Sequence, residues 1–270
     1  MKDYSEELEL ARQIARDAAE LVRNYTLDRN FDVEFKGKND LVTDADLETE
    51  NLILEKLSEA FPDDQILAEE TSKNHILPEE RTWMIDPIDG TTNFAHGFPV
   101  FCVSIALWEE QEAKIGVVLE VNKEELFHAV KGEGAYLNDR PISVSSVEDP
   151  QYAMIGTGFP YNDLSLIKNY VRFFEWLLYR TQGIRRPGAA SYDLCCVAAG
   201  RFDGFYEYSL NPWDVGAASI IVREAGGVIT DWMGGNNWLF GQRIVAGNSH
   251  IQQFLVDAIQ EHFPKEELRM

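Results

Sequence analysis

The stretch of sequence that decides the fold is Trp83-Met84-Ile85-Asp86-Pro87-Ile88-Asp89-Gly90-Thr91-Thr92-Asn93-Phe94. Its first three residues are apolar and predict a buried strand. Pro87 lacks the N–H group that a strand ladder needs and disfavours a helical conformation at the residue before it, so the strand is expected to end at Asp86. Thr91 to Phe94 are then expected to begin a helix.

Asp86 and Asp89 supply two carboxylates around the predicted end of this strand. Together with the carbonyl group of Ile88 they form a set of hard oxygen ligands that suits Mg²⁺ or Mn²⁺. The N–H groups of Gly90 and Thr91, at the start of the predicted helix, make an anion site. The stretch therefore predicts a metal ion and a phosphate group held side by side. A simple turn is the alternative, because Asp, Pro and Gly are common turn residues.

The chain is strongly acidic. It has 270 residues and a formal net charge of −22, from 24 Lys and Arg against 46 Asp and Glu. This charge argues against partners such as nucleic acid or an anionic membrane. A phosphorylated substrate would therefore need bound cations in order to approach. The length allows one domain, residues 1–270, with sub-domains at about 1–145 and 146–270.

The N-terminal residues are polar, and no apolar run reaches the length of a membrane span, which predicts a cytoplasmic protein. Cys102, Cys195 and Cys196 are odd in number and contain no C-x-x-C pair. This pattern fits reduced thiols in a core better than disulfides or a zinc site. The motifs of P-loop enzymes, dinucleotide-binding proteins, zinc proteases and α/β-hydrolases are absent from the sequence.

The order of predicted elements indicates the fold class. Helices are predicted at about residues 4–28 and 44–60, joined by a polar loop that contains glycine. Segments near 100–108, 113–121, 124–130 and 135–144 alternate apolar and polar residues, which predicts an antiparallel meander. After residue 150 strands alternate with helices, which predicts a mixed sheet covered by helices. We therefore predict an α/β (α+β) fold with a mainly antiparallel N-terminal sheet and a second, mixed sheet.

Further acidic residues lie where helices or strands are predicted to begin or end. Thr43 and Asp46 have the spacing of a helix cap. Glu69 and Glu70 end a short strand, so one of them should project toward the ends of the neighbouring strands and the other into solvent. Asp214 begins a helix whose first turns contain small residues, and an N-cap is the simplest interpretation of it.

Four segments together resemble the motifs of the inositol monophosphatase family, whose members are Mg²⁺-dependent, lithium-sensitive phosphatases. These segments are residues 36–46, 66–70, 83–98 and 213–227. Gly216 stands where the second family signature more usually has alanine, and it is also a small residue. The resemblance implies a layered αβαβα sandwich like that of inositol monophosphatase and fructose-1,6-bisphosphatase. It also implies a homodimer.

The resemblance implies roles for individual residues. The implied metal ligands are Glu69, in preference to Glu70, with Asp86, the Ile88 carbonyl group, Asp89 and Asp214. They would hold two or three Mg²⁺ ions, for which Mn²⁺ is a possible substitute. Thr91 and Asp46, with Glu69, would orient and deprotonate a water molecule, and the N–H groups of Gly90 and Thr91 would hold the phosphate. The implied substrate contacts are Asp89, Gly188, Ala189, Ala190 and Glu207.

The implied reaction is hydrolysis of inositol monophosphate to inositol and phosphate. Many family members carry a hydroxyl residue where Ala189 stands, so other substrates stay open. They are the 2′-phosphate of NADP(H), 3′-phosphoadenosine nucleotides and fructose 1,6-bisphosphate. An alternative of another class is a non-catalytic regulatory protein that binds a partner on the same scaffold. An acidic cluster that repels itself argues against that alternative, because a binding module has no need of one.

Overall fold

The computed structural model of the protein describes residues 2–28, 32–37, 40–72, 76–161, 163–265 and 268. Its α-helices are α1 (Ser5–Asp28), α2 (Asp44–Ala60), α3 (Thr91–His96), α4 (Ile167–Leu178), α5 (Ala190–Ala198), α6 (Pro212–Glu224) and α7 (Ser249–His262). Among these described residues, no helix combines the length and the apolar character needed to cross a bilayer.

The first sheet is built from strands of the N-terminal half. They are β3 (Gln65–Ala68), β4 (Thr82–Asp89), β5 (Cys102–Glu109), β6 (Glu112–Glu120), β7 (Glu125–Val130), β8 (Ala135–Leu137) and β9 (Arg140–Ile142), and they lie side by side in that order. β3 and β4 run parallel, and every later pair is antiparallel. The predicted antiparallel meander is therefore confirmed.

Three details of this half differ from the prediction. β4 does not end at Asp86: it continues to Asp89 after an irregularity in its pairing with β5, and Pro87, which has no N–H to donate, lies in that irregularity. The segment 135–144 is a hairpin, because Asn138 and Asp139 both have positive φ angles and turn the chain. The polar loop before α2 contains a small antiparallel hairpin, β1 (Val33–Gly37) and β2 (Asp40–Thr43).

The second sheet comes from the C-terminal half. Its strands are β10 (Met154–Thr157), β11 (Gly183–Arg185), β12 (Gly204–Tyr208), β13 (Val228–Thr230) and β14 (Arg243–Gly247), in the spatial order β11-β10-β12-β14-β13. β10 is parallel to both of its neighbours, whereas β14 is antiparallel to both of its own. This sheet is mixed, as the sequence predicts.

Helices and sheets alternate in layers. α1 and α2 cover one face of the first sheet, α5 and α6 lie between the two sheets, and α4 and α7 cover the far face of the second sheet. Buried apolar clusters fill the spaces between these layers. The predicted αβαβα arrangement is therefore confirmed. A boundary between sub-domains near residue 145 stays a prediction.

The central layer makes unusually close contact with the first sheet. Gly116 of β6 faces α6, and a Cβ atom there would overlap the carbonyl oxygen of Ala217. A Cβ atom at Gly216 of α6 would in turn overlap the sulfur of Met84 in β4. Glycines at both positions therefore let the helix and the sheet approach each other, and this approach brings the start of α6 to the end of β4.

We expect Gly116→Ala to destabilise the protein by about 1–3 kcal/mol, because the added methyl group overpacks a contact with rigid backbone. Thermal unfolding of the purified protein measures this effect. Gly183→Ala in β11 is the matched control, since a Cβ atom there would meet only the flexible end of Arg185, at 3.3 Å. Equal melting temperatures for the two variants would contradict the close approach of α6.

Candidate active site

The carboxyl group of Asp86 lies at the buried end of the first sheet. Asp86 pairs with Ser104 of β5 and is only 1% exposed. Its pKa is raised well above the usual range, first by burial and then by the negative charges of Glu69, Asp89 and Asp214. Glu69 follows β3 directly and shares a hydrogen bond with the Asp86 side chain. The fold thus brings together acids from three separate segments of the sequence, Glu69, the pair Asp86 and Asp89, and Asp214.

Carboxylates that are buried together repel each other unless a cation neutralises them. Oδ1 of Asp86 is buried and has no hydrogen-bond partner among the described residues. A buried oxygen without a partner, surrounded by other carboxylates, fits a hard cation such as Mg²⁺. No three Cys, His, Asp or Glu side chains in the described ranges are already arranged to hold a metal ion.

Asp89 caps a helix that is distant in the sequence. Ala189, at the N-cap of α5, has no side-chain oxygen, so it cannot cap the helix itself. The Asp89 carboxylate instead accepts hydrogen bonds from the backbone N–H groups of Ala190, at 3.1 Å, and Ser191, at 2.6 Å. Burial raises the pKa of Asp89 to about 6, although these N–H groups act to lower it. Asp89 therefore joins the acid cluster to the predicted substrate contacts Gly188, Ala189 and Ala190.

Asp214 reaches the cluster from the first turn of α6. Its Oδ2 atom accepts a hydrogen bond from the backbone N–H of Asn211 at 2.7 Å, and the two residues form a capping box in which Asn211 is the N-cap. The interpretation of Asp214 as the N-cap is therefore wrong. The Ser191 hydroxyl donates a hydrogen bond to the Asp214 carbonyl oxygen at 2.8 Å. This bond holds the first turns of α5 and α6 together.

Thr91 and Asp46 form a hydrogen-bonded pair beside the acids, with 3.0 Å between Thr91 Oγ1 and Asp46 Oδ1. Asp46 is fixed from its other side by the backbone N–H and the hydroxyl of Thr43, which confirms the predicted cap of α2. Thr91 Oγ1 also lies 2.9 Å from the carbonyl oxygen of Ile88. A hydroxyl group donates one hydrogen bond and can accept others at the same time. The role of Thr91 and Asp46 in deprotonating a water molecule stays a prediction.

Gly90 places the start of α3 against two other segments. Its φ angle is +95°, a conformation that favours glycine, and α3 begins at the next residue, Thr91. A Cβ atom at Gly90 would lie only 3.1 Å from the Val100 carbonyl oxygen and 3.2 Å from that of Gly188. The first N–H groups of a helix have no partner within the helix. The role of the Gly90 and Thr91 N–H groups as phosphate donors stays a prediction.

Glu207, a predicted substrate contact, lies in β12. It is buried, and a Cβ atom at Gly158 would overlap its carboxylate. Burial raises the pKa of Glu207 to about 8, the positive charge of Arg186 acts to lower it, and Asp214 and Asp89 add to the increase. The charges of Asp214 and Asp89 therefore reach Glu207, and its contact with the alcohol part of a substrate stays a prediction.

Sequence reasoning missed several polar residues of the site. Ser191 and Asp193 lie in the first turn of α5, and Asp193 is fully buried, so that burial, with Glu207 and Asp89, raises its pKa well above the usual range. Asn93 lies in α3 and donates hydrogen bonds to two other segments. Asn93 belongs to the stretch 83–94 that decides the fold, and this position was the only signal in the sequence that pointed to it. The other two carry no signal without a known partner.

Comparison with known proteins gives the family. The model of the inositol monophosphatase family matches residues 3–264 of the chain. The chain belongs to this family. The resemblance that the sequence motifs suggested is therefore confirmed, and membership of the inositol monophosphatase family implies phosphatase activity.

Relatives within the inositol monophosphatase family carry two kinds of name. An inositol-1-monophosphatase of Synechocystis is 43% identical over 228 residues, which cover 84% of this chain and 79% of the relative. A putative Nus factor SuhB of Neisseria meningitidis is 42% identical over 227 residues, which cover 84% of this chain and 87% of that protein. The crystal structure of the extragenic suppressor protein suhB from Bartonella henselae superposes with a TM-score of 0.90 at 39% identity, covering 96% of this chain and all of the other.

Proposed function

We propose that this chain is a Mg²⁺-dependent phosphomonoesterase that hydrolyses inositol monophosphate to inositol and phosphate. The observation that carries the proposal is the convergence of Glu69, Asp86, Asp89 and Asp214, with their mutual effect on the pKa of Asp86. Such a cluster is unfavourable without cations, and the inositol monophosphatase family generally uses Mg²⁺. The Synechocystis relative, named for this activity, supports the choice of substrate.

The proposed ligands divide into two overlapping sets. Glu69, Asp86 and the Ile88 carbonyl group would hold one Mg²⁺ ion, and Asp86, Asp89 and Asp214 another. Bound Mg²⁺ supplies positive charge that lowers the pKa of water and stabilises the charge that develops on the phosphoryl group and the leaving oxygen.

The other roles belong to the protein alone. Thr91 and Asp46 would take up the proton of the attacking water, because the hydroxyl of Thr91 already faces Oδ1 of Asp46 at 3.0 Å. The N–H groups of Gly90 and Thr91 would donate hydrogen bonds to the phosphate oxygens. Glu207 would bind a hydroxyl group of the inositol ring. Burial of this carboxylate keeps competing water away from it.

Phosphate release from a panel of esters tests the proposal. The panel contains inositol 1-phosphate, NADP⁺, a 3′-phosphoadenosine nucleotide, fructose 1,6-bisphosphate and histidinol phosphate. We expect the highest kcat/KM for inositol 1-phosphate with Mg²⁺, and no turnover with EDTA. A higher kcat/KM for a nucleotide or for the bisphosphate would support the alternative substrates instead. Addition of millimolar LiCl to the same assay tests the predicted sensitivity to lithium.

The Neisseria relative supports keeping a second candidate, because it is named a Nus factor and not a phosphatase. In this candidate the chain is a regulatory protein that binds a partner. Mg²⁺ titration separates the two functions, because hydrolysis should follow Mg²⁺ occupancy whereas partner binding need not. The homodimer, the cytoplasmic location and the absence of nucleic-acid and membrane partners stay predictions.

A further inference from the structure

Asn93 connects three segments that meet at the candidate active site. It lies in α3, is 8% exposed, and its Nδ2 atom donates to the carbonyl oxygens of Val100 at 2.8 Å and Pro187 at 2.9 Å, with that of Gly188 at 3.3 Å. Three carbonyl oxygens surround this atom, which fixes the orientation of the amide. If the amide oxygen took the place of Nδ2, it would face only other acceptors. The side chain therefore acts as a donor in this position.

These hydrogen bonds close a ring that includes Asp89 of the acid cluster. Asn93 is joined to Asp89 through the four peptide bonds between them, and Asp89 holds the N–H groups of Ala190 and Ser191. The backbone just before those residues, at Pro187 and Gly188, is held in turn by Asn93. The segment from Asp89 to Asn93 and the segment from Pro187 to Ser191 are thus bound to each other at two places.

Asp214 is attached to this ring by one hydrogen bond, and the predicted phosphate donors Gly90 and Thr91 lie between Asp89 and Asn93 within it. Ser191 donates its hydroxyl proton to the carbonyl oxygen of Asp214, so a shift of α5 would move the start of α6. Gly90, one of the predicted phosphate donors, packs against the same Val100 and Gly188 carbonyl groups that Asn93 binds. The Asn93 amide therefore fixes the spacing between the phosphate side and the alcohol side of the site.

We propose that Asn93 is a positioning residue that holds Asp89, Asp214 and the start of α5 at the spacing required for Mg²⁺ binding and turnover. The inference rests on the proposed function for its kinetic part only, because the geometry of the acids affects Mg²⁺ affinity whether or not an ester is hydrolysed. Side chains that orient metal ligands without touching the metal typically change metal affinity or activity by about 10–100-fold when replaced.

The test uses Asn93→Ala and the isosteric Asn93→Asp in the full chain. Titration calorimetry with Mg²⁺ alone should show affinity lowered by about 10–100-fold in both variants. With inositol 1-phosphate at saturating Mg²⁺, kcat should fall more than KM rises. Asn93→Asp keeps the volume but removes the donors, so the two variants should lose similar amounts of affinity. Near-normal Mg²⁺ affinity in Asn93→Asp would show that the residue only fills space and would overturn the proposal.

Asn248→Ala is the matched control. Asn248 is also buried and donates from Nδ2 to Ser145 Oγ at 3.0 Å and to the Val147 carbonyl oxygen at 2.9 Å, but its contacts do not include the acid cluster. We expect a lower melting temperature in this variant with unchanged Mg²⁺ affinity. Equal losses of Mg²⁺ affinity in Asn248→Ala and Asn93→Ala would overturn the positioning role. A wild-type protein that binds Mg²⁺ tightly and hydrolyses no ester would contradict the proposed function while leaving this inference testable.

Discussion

Replacement of Asp86 by asparagine is expected to abolish Mg²⁺-dependent phosphatase activity and to leave the fold intact. Asp86 is the proposed ligand shared by both metal ions, and its pKa responds to Glu69, Asp89 and Asp214 together. The amide has the same shape but a weaker oxygen ligand and no charge. A metal ion contributes several kcal/mol to a phosphoryl-transfer transition state, so its loss should lower kcat/KM by a factor on the order of 10³ or more.

Stability gives a second measurement for this variant. In EDTA, Asp86→Asn should be at least as stable as the wild type, because the neutral amide removes repulsion inside a buried cluster. Added Mg²⁺ should raise the melting temperature of the wild type only, since binding to the native state stabilises it. Asp203→Asn is the control: Asp203 is a buried acid that binds the backbone N–H of Met154 at 2.6 Å, away from the cluster. Turnover close to wild type in Asp86→Asn would remove the basis of the metal site.

Thr91→Val should lower kcat by about 10²–10⁴-fold, the usual contribution of a positioned proton acceptor. Valine keeps the branched shape but removes the hydroxyl that faces Asp46 at 3.0 Å. Since the backbone N–H of residue 91 remains, KM should change much less than kcat. Thr91→Ser, which keeps the hydroxyl, should recover most of the activity.

The neighbouring residue supplies the control for this prediction. Thr92 is exposed in the same helix, so Thr92→Val makes the same chemical change one position away. Steady-state kinetics of Thr91→Val, Thr91→Ser and Thr92→Val at saturating Mg²⁺ would test the role of the Thr91 hydroxyl. A similar kcat for Thr91→Val and Thr92→Val would exclude a role for the Thr91 hydroxyl in proton transfer.

The sequence predicts the parts of the site that are local. Asp86, Asp89 and the Ile88 carbonyl group lie within a few residues of each other, and the Thr43–Asp46 cap follows from spacing alone. Alternation of apolar residues likewise predicts the meander. The end of β4 was predicted incorrectly, because whether Asp89 pairs as part of the strand depends on its partner Cys102 in the next strand.

Long-range relations are what the residues alone do not predict. The choice of Glu69 over Glu70 and the role of Asp214 as a ligand came only from resemblance to a family, since nothing in their neighbourhood distinguishes a ligand from a helix cap or a strand end. Asn93 and Ser191 were missed because they bind residues that are distant in the sequence. Asn93 binds Pro187, 94 residues later, and Ser191 binds Asp214, 23 residues later. The roles of Asn93 and Ser191 depend on which segments the fold places side by side.

The packing of α6 against the first sheet has a consequence for synthesis of the protein. When only the N-terminal half of the chain has emerged from the ribosome, Asp86 is present, but the surface around Gly116 still lacks the helix α6 that covers it. Asp214 arrives on that same helix, so docking shields the apolar surface and delivers the last acid in one event. In a nascent chain the four acids can therefore come together only once α6 covers this surface.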